Sequence, residues 1–336
     1  MKASDAAAGS PEFGSRDERG HWKPPYPAAY SPLFDWPPQP RAIFKWFFGY
    51  PGFLWPLNAV WLLFSYFTLK FLQPAIATCK TLEMSWIGWM LLRNLIIMLV
   101  VYGGLHLTFY TFKLHGNVRK YNPSFQEEPK KQFLFGRQPL DNATRCLLTG
   151  LPIWTGYEVL YVWAAANGRV PGLTFQDHPV WFVAWFILIP FVRETHFYFT
   201  HRLIHWKPLY RSIHHIHHLN PNPGPWSGLA MHPLEQLLYF SVVLVHFIVP
   251  SSPWHFFFHI QQLATGPASG HLGFEGPLFN GKLVIGDYYH YLHHKYVSCN
   301  FGLSTIPWDR WLGVYYGGLG DYRPKKKGPA FQGIET

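Results

Sequence analysis

Charged side chains are scarce in this sequence. Asp, Glu, Lys and Arg make up 14% of the residues, well below the roughly 25% of an ordinary soluble domain. Aromatic residues make up 19%, and Trp and Tyr suit a surface that meets both lipid tails and head groups. This composition argues against an ordinary soluble domain and predicts an integral membrane protein.

Cysteine is also rare, since the chain has only Cys79, Cys146 and Cys299. These three are too few and too scattered for a disulfide framework, which excludes the small disulfide-rich secreted domains. Acidic residues are outnumbered, and the formal net charge is +10. Because the basic residues lie between apolar runs and form no continuous stripe, anionic lipid head groups are favoured over nucleic acid as their partner.

The chain divides into three parts. Residues 1–45 are predicted to be a disordered or Pro- and aromatic-rich N-terminal arm, polyproline-like and not helical over residues 20–45. Within the arm, "GSPEFGS" resembles a cloning linker, so about the first 20 residues are expected to be vector-derived or a natural disordered tail. Residues 46–320 are predicted to form one membrane domain, and residues 321–336 a basic tail.

Four apolar runs are each long enough to cross a bilayer, which takes about 20 residues. A fifth, charge-free stretch is interrupted by "PSSP" and predicts a helical hairpin dipping into the membrane. The alternative, that these are core helices of a large soluble protein, is disfavoured because the runs are long and lack amphipathic periodicity. The runs are Phe53–Ile76, Trp86–Phe112, Cys146–Ala166 and Val180–Thr200, with the hairpin over Gln236–Phe274.

Basic residues set the expected orientation. Segment 113–145 carries seven Lys and Arg residues, whereas segments 77–85 and 167–179 carry one each. By the positive-inside rule, segment 113–145 is cytoplasmic. The N-terminal arm, the histidine-dense segment 201–233 and the "RPKKK" tail then lie on the same side.

Histidines are concentrated in three clusters. His201 and His205 have the spacing i, i+4, and two H-x-x-H-H boxes follow. On a helix, each box is expected to place its three rings on one face, where the imidazole nitrogens converge on one point. The boxes are His214, His217, His218 and His290, His293, His294.

Eight imidazoles in this pattern predict two metal ions, because they exceed what one ion can take. Structural zinc prefers four closed ligands with cysteines among them, whereas an all-imidazole site with open positions suits iron that reacts with O2. Histidines alone do not name the metal, and zinc can replace iron on overexpression. The remaining alternative is a group of interfacial histidines that contact head groups or act as a pH switch.

Four stretches resemble the fatty acid hydroxylase superfamily, a group of membrane di-iron enzymes, and specifically its sterol desaturase-like branch. They are "FYFTHRLIH", "HHIHHLNPNPGPWSGLAMHPLE", "GDYYHYLHHKYVSCNFG" and "PWDRWLG", within about Val180–Gly313. The resemblance implies an all-α membrane protein with a four-helix anchor and a cytosolic helical cap that holds two iron atoms. It also implies O2 and an external electron donor such as cytochrome b5 with its NAD(P)H reductase.

The resemblance also carries over site residues. It implies that the eight box histidines ligate metal, with His271 of "SGHLGF" as a ninth ligand and His232 of "AMHPLE" as a weaker candidate. Glu194 stands where the family usually has an acidic residue, and it would either orient a ligand imidazole or pair with Arg193 or Arg202. Asn300 would either approach the site or form a turn.

A site at the edge of an aromatic-rich bundle implies a membrane lipid as substrate, hydroxylated or desaturated at one carbon. The chain has neither a G-x-G-x-x-G dinucleotide motif after a strand nor an H-P-G-G haem motif, so its electrons would come from another protein.

"NPNPGPWSGLAMHPLE" favours a sterol desaturase in sterol biosynthesis; the alternative is a fatty acyl, sphingolipid or alkyl-lipid hydroxylase. Two alternatives are not lipid-oxidising enzymes: a metal transporter and a non-catalytic metal-binding scaffold. The membrane would be the endoplasmic reticulum in a eukaryote or the inner membrane in a bacterium.

Overall fold

A computed structural model describes residues 14–126, 129–278 and 283–322. The described chain is mostly helical, with two short antiparallel strand pairs, β1 with β2 and β3 with β4. The helices are α1 Pro40–Phe48, α2 Ala59–Phe67, α3 Met84–Met98, α4 Gly104–His106, α5 Gln138–Arg145, α6 Leu151–Ala166, α7 Pro179–Ile204, α8 Lys207–Leu209, α9 His215–His218, α10 Pro233–Phe240, α11 Pro253–Gly270, α12 Tyr288–Tyr296 and α13 Trp308–Trp311, and the strands are β1 Ser15–Arg16, β2 Trp22–Lys23, β3 Gly276–Leu278 and β4 Leu283–Ile285.

Two helices of the described chain are long and apolar enough to cross a membrane. They are the continuous run Met84–Thr111, which includes α3 and α4, and α7. Only 33% and 22% of their most apolar windows are buried inside the protein, so most of their apolar side chains face outward, which is typical of helices in contact with lipid. The predicted runs at Phe53–Ile76 and Cys146–Ala166 are largely helical as well. The full arrangement of four spans, a membrane hairpin and a cytosolic cap stays a prediction.

The main hydrophobic core lies where α3, α6, α10 and α11 meet. Its centre consists of large side chains that solvent does not reach, including Tyr102, Trp154 and Phe256. A buried ion pair between Arg93 of α3 and Glu158 of α6 lies beside this core. The core therefore fixes the helices on which part of the site is built.

The predicted interruption at Pro250–Pro253 is the point where α11 begins. Ser252 caps this helix, since its hydroxyl accepts a hydrogen bond from the amide of His255 and its own amide donates to the ring of His255. Pro253 at the first helical position needs no amide partner. The chain ahead of the break is also helical, as α10 followed by a 3-10 segment at Ser241–Phe247.

The N-terminal arm differs from its prediction in two places. Residues 15–23 form a small hairpin in which Trp22 is buried, and Trp22 packs on Tyr121, so this stretch is part of the fold and not a disordered tail. The expectation of no helix was wrong from Pro40, where α1 begins, because a proline at the first helical position has no amide to leave unsatisfied. Residues 1–13 and the "RPKKK" tail lie outside the described residues.

Candidate metal centre

Four elements bring the predicted histidines to one place. His201 lies in the last turn of α7, and His205 is its C-cap. The first box runs from the end of a π-helical turn into α9, and the second box lies on α12. His271 is the C-cap of α11. The site thus collects residues that lie up to 93 positions apart (294 minus 201).

All nine histidines of the prediction fall into two adjacent groups that could each hold a metal ion. Within each group, one ring nitrogen per residue lies within 4.8 Å of all the others. Eight of the nine residues are buried, and His218 is half-buried. The five-histidine group is His201, His205, His214, His218 and His293, and the four-histidine group is His217, His271, His290 and His294.

The three histidines of a box do not converge on one point, and that expectation was wrong. In each box the first and last residues belong to one group and the middle residue belongs to the other. The reason is helix geometry: at 3.6 residues per turn, positions i+3 and i+4 lie about 100° apart, on opposite sides of position i. Each H-x-x-H-H box therefore contributes to both groups and ties them together.

Hydrogen bonds at Nδ1 fix the tautomer of several rings. Nδ1 of His201 lies 2.6 Å from the carbonyl oxygen of Phe301, and Nδ1 of His293 lies 2.7 Å from that of Cys299. Nδ1 of His271 lies 3.0 Å from the carbonyl oxygen of Pro267. A carbonyl oxygen can only accept, so each of these Nδ1 atoms carries the proton and donates it. The Nε2 atoms are then unprotonated in the neutral rings and free to bind a cation.

These Nε2 atoms face one another at short distances. The Nε2 of His205 lies 2.9 Å from that of His214 and 3.1 Å from that of His293. In the four-histidine group, the Nε2 of His271 lies 3.2 Å from that of His217 and 3.0 Å from that of His290. Lone pairs that converge this closely are stabilised by a cation between them.

Burial also favours the ligating form of the rings. It lowers the pKa of His214, His217 and His293 well below the usual value, so these imidazoles stay neutral at physiological pH, as ligands must. In His294 neither ring nitrogen has a hydrogen-bond partner in the described chain, although both are buried. The residues present therefore fit a pair of transition-metal ions.

Glu235 is a site residue that the sequence argument did not single out. Its Oε1 lies 2.7 Å from Nδ1 of His214, and the carboxyl group is buried. Burial raises the pKa of Glu235, and a cation bound by His214 would favour its ionised form. The signal was present in "AMHPLE", where a glutamate follows a box-like histidine, but only the fold brings it to His214.

Glu194 does neither of the two things expected of it. Its Oε1 accepts hydrogen bonds from the backbone amides of Thr305 and Ile306, at 3.0 and 2.8 Å. It makes no ion pair with Arg193 or Arg202 and no hydrogen bond with a histidine of the described chain. The prediction was wrong because two backbone donors satisfy this buried carboxylate and hold the loop after α12 against α7.

The remaining candidates have structural roles. His232 is the N-cap of α10, where Nδ1 accepts from the amide of Leu234 at 3.2 Å, so it does not join either group. Asn300 has a left-handed backbone with φ of 55°. Its side chain bonds the backbone of Tyr289 and Tyr316, as expected for the turn-forming alternative.

A cavity of about 380 Å³ reaches the histidines. Its lining includes His201, His214, His217, His271 and His290 together with side chains of α2, α7 and α11. Most of the surface exposed inside it is apolar. Such a volume and lining are typical of a site for a lipid-sized ligand.

Comparisons with known proteins point to one family. Residues 186–314 match the family model described as fatty acid hydroxylase. The chain is 28% identical over 236 residues to a Delta(7)-sterol-C5(6)-desaturase of Nicotiana tabacum, covering 67% of this chain and 81% of the tobacco protein.

Two other relatives have different activities in their names. A sphinganine C4-monooxygenase of Arabidopsis thaliana is 32% identical over 39% of this chain and 53% of its own length. A methylsterol monooxygenase of Aspergillus fumigatus is 30% identical over 39% of this chain and 46% of its own. The chain thus spans about half the length of these two relatives. No solved structure matches the chain significantly.

Proposed function

We propose that this chain is a membrane di-iron oxygenase of the fatty acid hydroxylase superfamily and of its sterol desaturase-like branch. It would use O2 to hydroxylate or desaturate a membrane lipid. The observation that carries this proposal is the pair of adjacent histidine groups at the lining of an apolar cavity.

Each group would hold one iron ion, through the nine histidines named above. Iron, when bound, supplies O2-dependent oxidation of unactivated C–H bonds. The protein holds the rings in place through the Nδ1 bonds to Phe301, Cys299, Pro267 and Glu235. A ligand imidazole whose other nitrogen is fixed in this way keeps its tautomer and its orientation.

The cavity would hold the lipid and exclude water from the reacting carbon. It runs along the face of α7 that carries Pro190, Phe197, His201 and Ile204. From Pro190 to Ile204 this face is about 21 Å long, at 1.5 Å per residue. An elongated apolar lipid would therefore lie along α7 with one carbon near the histidines.

The setting of the enzyme would follow from its membrane domain, residues 46–320. Segment 113–145 and the histidine groups would face the cytosol, in the endoplasmic reticulum of a eukaryote or at the inner membrane of a bacterium. Electrons would come from a separate donor, such as cytochrome b5 with its NAD(P)H reductase.

Two substrate classes are supported by the relatives. The tobacco desaturase and the Aspergillus monooxygenase favour a sterol. The Arabidopsis sphinganine monooxygenase favours the alternative of a sphingolipid or acyl hydroxylase. A sterol desaturation leaves a product lighter by two hydrogens, whereas a hydroxylation adds one oxygen atom, so mass spectrometry of the product distinguishes them.

The rival functions are less well supported. A metal transporter would hold its ligands at mid-membrane depth, whereas His201 and His205 lie at the end of α7 and the other ligands lie outside both candidate spans. A non-catalytic scaffold would have no need for a lipid-sized cavity that ends at the metal ligands.

The test is turnover of membrane lipid extracts with O2 and a reductase system, followed by mass spectrometry. We expect His217→Ala and His293→Ala, one from each group, to abolish turnover while the protein stays membrane-inserted. His215→Ala is the matched control, because His215 is exposed and outside both groups, and it should keep turnover. Full activity of either ligand variant would refute the site.

A further inference from the structure

Arg193 lies inside the proposed lipid cavity. The residues of α7 that line this cavity recur every three to four positions, as expected for one face of a helix. Arg193 belongs to this stripe and lies between Pro190 and Phe197, nearer than His201 to the N-terminal end of α7. A guanidinium in an apolar, lipid-sized cavity is unexpected unless it has a charge to bind.

No carboxylate of the described chain makes an ion-pair contact with Arg193, although the charge of Glu194 acts on it through space. Its neighbour Glu194 is engaged by the amides of Thr305 and Ile306. Among the described residues, two carboxyl groups line the same cavity, and both are engaged: Glu235 with the ring of His214 and Asp287 with the amide of His290.

The guanidinium itself makes no hydrogen bond within the described residues, and its buried Nε has no partner. It lies next to Gly266 of α11, where a Cβ would come within 3.8 Å of its Nη1 and 3.5 Å of the Trp61 ring. Tyr239 of α10 and Leu263 of α11 also line the cavity.

A buried cation without a hydrogen-bonded counter-charge is costly, because it has lost its water and the nearby carboxylate of Glu194 acts on it only through space. Arginine presents its donors as a planar fork that matches a carboxylate with two parallel hydrogen bonds. We propose that Arg193 binds the carboxylate of an acidic lipid, so that the substrate of the proposed oxygenase is a fatty or steroid acid. That the bound acid is also the substrate rests on the proposed function, whereas its binding to Arg193 requires no turnover.

The position of Arg193 also sets which carbon meets the metal site. It precedes His201 by eight residues on the same helix, which is about 12 Å along the axis. A lipid whose carboxylate is held at Arg193 therefore presents a carbon far from the acid group, in mid-chain or in a distant ring. Carbons next to the carboxylate stay out of reach.

Equilibrium binding to the full-length, metal-loaded protein in detergent tests this proposal. The probes are two matched pairs: palmitic acid with hexadecanol, and 3β-hydroxy-5-cholenic acid with the corresponding 24-alcohol. We expect at least one acid to bind roughly tenfold or more tightly than its alcohol, the size expected for hydrogen bonds between charged groups. Arg193→Met should remove this preference and leave alcohol binding unchanged, whereas Arg193→Lys should keep part of it.

The matched control is Arg169→Met, which removes an exposed arginine that does not line the cavity and should leave the preference intact. Equal binding of acid and alcohol in both pairs would overturn the proposal, and so would a preference that survives in Arg193→Met. Arg193-dependent acid binding without any turnover would count against the proposed function alone. Turnover of neutral lipids that Arg193→Met leaves unchanged would count against this inference alone.

Discussion

At the scale of single residues, the position of the ring proton decides which nitrogen of an imidazole can hold a cation. The carbonyl oxygens of Phe301, Cys299 and Pro267 fix that proton on three rings. The sequence could predict the histidines, because their spacing is local. It could not predict these partners or Glu235, because each contact depends on how distant segments fold together.

Glu235 should matter for metal retention. Glu235→Ala removes the acceptor of the His214 Nδ1 proton, and we expect metal to be lost roughly 10- to 100-fold more readily, the usual cost of losing such a partner. Glu235→Gln keeps an acceptor oxygen and should lie between this variant and the wild type. Metal retention under increasing chelator concentration measures the effect.

Glu194→Gln is the control for this series, since Glu194 binds backbone amides and no histidine. It should lower thermal stability without changing the chelator concentration at which metal is lost. If Glu235→Ala kept its metal as well as Glu194→Gln does, the role given to Glu235 would be wrong.

At the scale of elements, α12 presents three of the nine histidines and depends on its N-cap. The side chain of Asp287 accepts a hydrogen bond from the amide of His290 at 2.9 Å. We expect Asp287→Ala to lower the free energy of unfolding by about 1 kcal/mol, the usual cost of losing a cap, and Asp287→Asn to restore most of it. Thermal unfolding of the three proteins decides this, and equal stability of all three would contradict the capping role.

A second element-scale prediction concerns the ion pair between Arg93 of α3 and Glu158 of α6. Asn94 and Trp154 also donate hydrogen bonds to this carboxylate. Removing one charge leaves the other buried and uncompensated, so Arg93→Met or Glu158→Met should each destabilise the protein by about 3–5 kcal/mol. The double variant should cost less than the sum of the two. Additive losses in detergent unfolding would show that the charges act independently.

Helices were predictable from their apolar runs, but their ends and short neighbours were not. The run predicted from Val180 corresponds to α7, which begins at Pro179 and continues to Ile204, four residues beyond the predicted end. Apolar composition ends near Thr200, whereas the helical hydrogen bonds continue through the polar last turn that carries His201. The helix at Pro40 was missed because proline-rich sequence also suits an extended chain.

At the scale of the whole molecule, orientation in the membrane is the main open prediction. Charge bias predicts that segment 113–145 is cytosolic and segment 167–179 lies on the other side. Lys131→Cys and Gln176→Cys place one exposed thiol in each segment, while the three native cysteines are buried. An impermeant thiol reagent added to sealed vesicles should label these two positions from opposite sides. Labelling from the same side would refute the four-span topology.

The likeness to the fatty acid hydroxylases and the helical fold could be inferred from sequence because the histidine boxes and apolar runs are short-range patterns. The division of nine histidines into groups of five and four could not, because it depends on how α7, α11 and α12 meet. The place of Arg193 in the cavity could not be predicted either, and from the sequence this residue was only a possible partner of Glu194. Its place in the cavity follows from packing against α11.

The most direct test of the central claim is the metal content of the protein purified without chelators, measured by elemental analysis beside His217→Ala and the control His215→Ala. The two histidine groups predict about two iron ions per chain in the wild type and in His215→Ala. His217→Ala should lose metal, because it removes a ligand of the four-histidine group. A folded, membrane-inserted wild type with no stoichiometric metal, or a His217→Ala variant with unchanged content, would contradict the account.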